Sequence, residues 1–166
     1  MIVVNTTVLS NLARVNQLRI LKELYGKIVI PIQVYEEILR GINEGYYFLK
    51  TVDKVAEEGW IVFEAPTSKK GRKCMKELLV SVGYGEAAGI ALAKEQGLPF
   101  FSDDKKARQI AKQQGLSVSG TLGTLKLAVE EGLISIKEAD EVLGEMIHGG
   151  YRSPIQSVKE LFESKK

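Results

Sequence analysis

Short apolar runs and helical stripes alternate along the chain. Ile2-Val3-Val4 is β-branched, and Asn5-Thr6-Thr7 follows at once, so the run reads as a buried first strand ending at Asn5. Residues 10–24 carry apolar side chains at Leu12, Val15, Leu18, Leu21 and Leu24, a helical spacing bent or broken near Asn16-Gln17. Ile28-Val29-Ile30 predicts a second strand. Pro31 then opens a helix, where its missing N–H is harmless, and Gly41 is the expected stop. Residues 43–58 read as helical, 60–63 as a short strand and the polar, basic stretch 67–71 as a loop. Helical patterns return at 72–82 and 86–96, with Gly97 as a cap before a strand at 99–101. Helices over 103–114, 122–131 and 137–147 complete the pattern. Such βαβα alternation argues for an α/β domain around a mainly parallel sheet, small and wrapped by many helices.

Composition narrows this picture. A chain of 166 residues is one domain's length, and one able to bury roughly 70% of its unfolded surface. No apolar run approaches the ~20 residues of a membrane span. Met1 leads almost directly into Val3, which leaves no room for a targeting peptide, so the expected location is cytoplasmic. Cys74 is the only cysteine and His148 the only histidine, which excludes internal disulfides, multi-cysteine zinc sites and histidine-rich metal sites. The net charge of +2 is too small to argue for nucleic acid by itself.

The acidic residues carry the chemistry. Phe100-Phe101-Ser102-Asp103-Asp104 repeats the grammar of the first strand, an apolar run opening onto polar groups. In open parallel sheets the ligand crevice lies outside such C-terminal ends. On the helix after Pro31 each residue advances ~100°, so Glu37 borders the face of Val34 and Ile38 while Glu36 points to water. A solvated Glu-Glu pair on a surface helix is the bland alternative. Glu86 stands in the first turn of a helix rich in Gly and Ala, where its charge complements the dipole. Ser102 or Asp103 could cap the following helix, which leaves one aspartate without a role.

Five blocks, in order, resemble a PIN domain: residues 3–9, residues 28–38, Gly85-Glu86-Ala87, Ser102-Asp103-Asp104-Lys105-Lys106-Ala107-Arg108, and Gly120-Thr121-Leu122-Gly123. More narrowly they are similar to the prokaryotic PIN-like proteins with "GEA", "DDxxAR" and "GTLG" blocks. The resemblance implies a small parallel β-sheet in a three-layer α/β/α sandwich over residues 1–150, with 151–166 a tail or helix packed on it. It implies a divalent-metal-dependent ribonuclease, in many members the toxin of a toxin–antitoxin pair. Carried over, the acidic cluster falls on Asn5, Glu37, Glu86 and Asp104, with Asp103 alongside as a further metal residue. Oxygen ligands favour Mg²⁺ or Mn²⁺. Thr6, Thr7, Lys105, Lys106, Arg108 and Thr121 would meet single-stranded RNA, or DNA. An antitoxin protein and a homo-oligomer are the further implied partners, and no membrane is.

Asn5 departs from the pattern, which has aspartate there. An amide oxygen can coordinate a cation but brings no charge. Three readings follow: a weakened nuclease, a module that binds nucleic acid or an antitoxin without cutting, or an altered chain. A haloacid-dehalogenase-type phosphotransferase is the rival, but it needs aspartates where Asn5 and Thr7 stand, and an amide cannot form the aspartyl-phosphate. The basic cluster Lys69, Lys70, Arg72, Lys73 and Lys76 reads equally as a phosphate contact or a solvated loop. Cys74 within it reads as structural.

Overall fold

Strand alternation decides how the layers form. The computed structural model describes residues 1–163. Among these, β1 (Ile2–Val4), β2 (Ile28–Pro31), β3 (Ile61–Glu64), β4 (Phe100–Phe101) and β5 (Val118–Ser119) make one sheet in the order β3-β2-β1-β4-β5, every pair parallel. Val3 pairs with Val29 on one side and with Phe100 on the other, and all three point to the same face. Ile2, Val4, Ile28, Ile30 and Phe101 point to the opposite face. Both faces are apolar because both are covered, as a parallel sheet requires.

On the first face lie α5 (Lys69–Leu78), α6 (Tyr84–Gln96) and α7 (Lys105–Gln113), packed through Leu78, Ile90, Leu92, Ala107 and Ala111. On the second lie α1 (Thr6–Arg14), α2 (Arg19–Tyr25), α3 (Ile32–Asn43), α4 (Lys50–Ala56), α8 (Thr121–Glu130) and α9 (Ile136–His148). The result is a three-layer α/β/α sandwich. The small residues of α6 have a definite use. A Cβ at Gly89 would lie 2.7 Å from the Phe100 ring, so glycine seats this helix directly on the central strands.

Several boundaries differ from the sequence reading for identifiable reasons. Asn5 caps α1, so that helix starts at Thr6, and the expected break near Asn16 is a full stop in which Asn16 adopts φ 55°. Pro31 is the last residue of β2, and α3 runs past Gly41 to Asn43. Ser68 caps α5 by accepting the Gly71 N–H at 2.9 Å, so the expected loop over 67–71 already contains helix. Of the helix expected over 43–58, Asn43 ends α3 and the rest holds only a 3₁₀ turn (Tyr47–Leu49) and the short α4. The two-residue β5 is too brief to leave an alternating signature.

After α9 the chain returns over the domain to a 3₁₀ turn (Val158–Phe162) against α8 and α9. Val158 is fully buried, and its N–H donates to the Asp140 carboxylate at 2.6 Å. No helix among the described residues is long and apolar enough to cross a membrane. Strand order runs outward from β1 to β2 and β3 on one side and to β4 and β5 on the other. The topological switch point therefore falls between β1 and β4, at Asn5 and Ser102.

Candidate metal centre and nucleic-acid interface

Asn5 lies at that switch point and is 2% exposed. Its Oδ1 accepts the Thr6 N–H at 2.8 Å, and its Nδ2 donates to Ser102 Oγ at 3.2 Å. Ser102 is fully buried, and its Oγ also accepts the Asp104 N–H at 3.1 Å. Asp104 in turn caps α7, its Oδ1 accepting the Ala107 N–H at 2.7 Å. One buried serine hydroxyl thus ties the ends of β1 and β4 together.

The other two acids reach the same edge from helices. Glu37 is half-buried on α3 while Glu36 is exposed, as the helical phase requires. Glu37 Oε2 accepts the Thr6 hydroxyl at 2.5 Å, and Oε1 accepts the Gly85 N–H at 3.0 Å. Glu86 follows one residue later at the start of α6, with Oε2 on the Gly83 N–H at 3.1 Å. Burial, together with the charges of Asp104 and Glu37, holds the Glu86 carboxyl above its ordinary value, against the lowering effect of the Gly83 N–H and Lys106. The mutual repulsion is the electrostatic signature of carboxylates gathered from segments far apart in sequence.

Gly85 is the residue that admits Glu37. A Cβ there would lie 2.3 Å from Glu37 Oε1 and 2.9 Å from its carboxyl carbon. Gly85→Ala is therefore expected to displace Glu37 while favouring the α6 helix itself. Mn²⁺ affinity should fall by about 10-fold or more with the thermal midpoint in chelator little changed. Equal Mn²⁺ affinity in the two proteins would show that Glu37 does not hold the cation.

Asp103 goes elsewhere. Its Oδ1 accepts the Thr121 N–H at 2.7 Å, and its Oδ2 accepts the Thr121 hydroxyl and the Asn11 amide, the latter at 2.8 Å. Its own N–H donates to Thr7 Oγ1 at 2.9 Å. Gly120 makes this possible, since a Cβ there would lie 2.4 Å from Asp103 Oδ1. The cap expected of Ser102 or Asp103 is Asp104, and Asp103 instead joins the end of β4 to α8 and α1. Thr121 is fully buried with its hydroxyl on Asp103, so it positions that aspartate rather than presenting a surface to a strand of nucleic acid. Lys105 and Lys106 are exposed, and Arg108 donates to Ser102 O at 2.9 Å, which fixes its guanidinium beside the β4 end. Sequence reasoning offered Ser102 only as a helix cap and gave no role to Asn11. A hydroxyl at the very end of a second apolar strand, beside two aspartates, is the signal that marks Ser102.

The donor set is oxygen only, which suits a hard cation. Glu37, Glu86 and Asp104 supply the charge, and Glu86 and Asp104 each keep one oxygen outside the hydrogen bonds that position them. Among the described residues no three acidic, histidine or cysteine side chains surround one point closely enough to hold an ion. A parallel α/β sheet with acids converging on its switch point defines an acid-edged α/β protein. A family model described as "PIN domain" matches residues 1–166, and the chain belongs to that family, whose members generally use divalent metal ions. No curated protein matches the chain.

Proposed function

We propose that this protein is a divalent-metal-dependent ribonuclease whose activity is attenuated by Asn5, within the prokaryotic group marked by the "GEA", "DDxxAR" and "GTLG" blocks. The supporting observation is that Glu37, Glu86 and Asp104 gather at the β1–β4 switch point, where burial, and after it the charges of Asp104 and Glu37, raise the Glu86 carboxyl. Mg²⁺ or Mn²⁺ bound there would supply an activated water and charge neutralisation on a phosphodiester. Gly85 and Thr6 hold Glu37 in place, and the α7 cap holds Asp104. Lys106 faces the acidic cluster, with Lys105 and Arg108 beside it on the same helix turn to meet phosphates of single-stranded RNA. A cytoplasmic setting and pairing with an antitoxin fit this reading.

A second reading is favoured by one contact. The Asn5 amide turns its NH₂ toward Ser102, so the atom that would be a carboxylate oxygen in an aspartate is a hydrogen-bond donor. That arrangement suits a module that binds nucleic acid, or an antitoxin peptide in the same groove, without cutting.

Cleavage of a labelled single-stranded RNA with Mg²⁺ or Mn²⁺, by this protein and by Glu86→Gln, separates the two. The nuclease reading expects metal-dependent cleavage that falls at least ~10-fold in Glu86→Gln. It also expects Mn²⁺ to raise the thermal midpoint, more at neutral pH than near pH 4.5, the ordinary value of a glutamate, because ligands must be deprotonated. RNA binding without cleavage under any divalent ion would overturn the nuclease reading in favour of the second.

A further inference from the structure

Two clefts meet beside the acidic edge. The first, about 470 Å³, runs past Thr6, Thr7 and Asp104. The second, about 510 Å³, is lined by Lys105, Arg108 and Lys112. Asp103, Tyr151 and Arg152 line both, so the clefts form one track with the segment after α9 at its centre. Two glycines bring that segment there. Gly149 lies so close to α1 that a Cβ would be 2.2 Å from Arg14 Cδ, and Gly150 has φ +111°, a left-handed conformation that turns the chain back over the site. The Tyr151 N–H then donates to Met146 O at 2.9 Å and anchors the turn.

We propose that Tyr151 and Arg152 complete the nucleic-acid track: the Tyr151 ring stacks on one base of a single strand while Arg152 pairs with its phosphate. The inference rests on the nucleic-acid reading above and extends it to a segment outside the acid-bearing blocks. Charge favours this occupant. Five cations, Arg14, Lys105, Arg108, Lys112 and Arg152, line the track against the carboxylates of Asp103 and Asp104, and Asp103, the one shared by both clefts, has its oxygens taken by Thr121 and Asn11. Tyr151 is half-buried, with part of its ring packed on the core, so it offers a fixed aromatic platform of the kind single-strand binders use. Arg152 is exposed beside it. A strand passing from the first cleft into the second meets the residues they share, Tyr151 and Arg152 among them.

The test compares two polyanions, a short labelled single-stranded RNA and inorganic polyphosphate, which has the phosphates but no bases. Binding is measured in chelator, so that no cleavage occurs, at several salt concentrations. Arg152→Glu is expected to weaken both ligands by about 10-fold and to flatten the salt slope for RNA by about 0.7 or more. Tyr151→Leu keeps an apolar contact with the core and removes the ring. It is expected to weaken RNA by about 5-fold or more and to leave polyphosphate unchanged. Equal losses on both ligands in Tyr151→Leu would make Tyr151 merely structural and overturn the stacking role. If both variants bind RNA like the parent protein while Arg108→Glu does not, the tail is not part of the track, although the nucleic-acid reading stands. A parent protein that binds no single-stranded RNA removes both.

Discussion

Asn5→Asp is expected to raise divalent-cation affinity and RNA cleavage by at least ~10-fold, while lowering the thermal midpoint in chelator. The local structure explains why the substitution is tolerated. Asn5 Oδ1 accepts the Thr6 N–H that starts α1, and aspartate caps a helix as well as asparagine does. The change falls on the second atom, Nδ2, which now donates to Ser102 Oγ. An aspartate oxygen there would accept, and the Ser102 hydroxyl can turn to donate, so the contact survives with reversed polarity. The added charge is not neutral in its effects. It joins Glu37, Glu86 and Asp104, where burial and the neighbouring charges already raise the Glu86 carboxyl, and without a cation it destabilises the fold. With Mn²⁺ the same charge becomes a ligand, and stabilisation by mass action should reverse the order of the two midpoints. Unfolding curves of both proteins, with chelator and with Mn²⁺, measure this crossing directly. If Asn5→Asp leaves metal affinity and cleavage unchanged while Glu86→Ala abolishes cleavage, Asn5 does not belong to the site. Binding of RNA itself should change little, since its phosphate contacts lie with Lys105, Lys106 and Arg108.

What the residues made legible was the edge, and what they hid was its scaffolding. Ile2-Val3-Val4 and Phe100-Phe101 announce themselves as buried strands because both sheet faces are covered, and polar groups follow each run at once. Glu37 could be aimed inward from helical phase alone, since Val34 and Ile38 mark the buried stripe. The partners of these acids were not readable, because hydrogen bonds such as Gly85 N–H to Glu37 or Asn11 to Asp103 join residues 48 and 92 positions apart. The aspartate pair shows the limit well. Asp103 and Asp104 are neighbours with the same chemistry, and only the backbone direction at the end of β4 sends one toward Thr121 and the other into the cap of α7. Likewise β5 has two residues and no period, yet it supplies the strand that carries Gly120 to Asp103. The last segment was legible only as a tail or helix packed on the domain, because the turn at Gly150 depends on a φ that sequence marks as permitted and not as used.

That division between neighbouring aspartates carries the other large effect. Asp103→Ala is expected to destabilise the fold by about 2–4 kcal/mol, whereas Asp104→Ala should cost about 1 kcal/mol and chiefly reduce cleavage. Removing the Asp103 carboxylate leaves the Thr121 N–H and the Thr121 hydroxyl without their acceptor and the Asn11 amide with only its longer bond to Thr121 Oγ1, and Thr121 is fully buried. Buried donors that lose a partner forfeit their solvation outright, which makes this loss larger than that of an ordinary hydrogen bond. The Asp104 carboxylate has one protein donor, the Ala107 N–H, and sits half-exposed at a helix start, where its loss is the loss of a cap. Urea unfolding of the three proteins in chelator, with unchanged slopes, gives the two stability differences. Cleavage measured well below each midpoint gives the two activity differences. If Asp103→Ala keeps the parent's midpoint and loses only cleavage, its hydrogen bonds do not hold the fold, and Asp103 belongs among the groups that bind the cation.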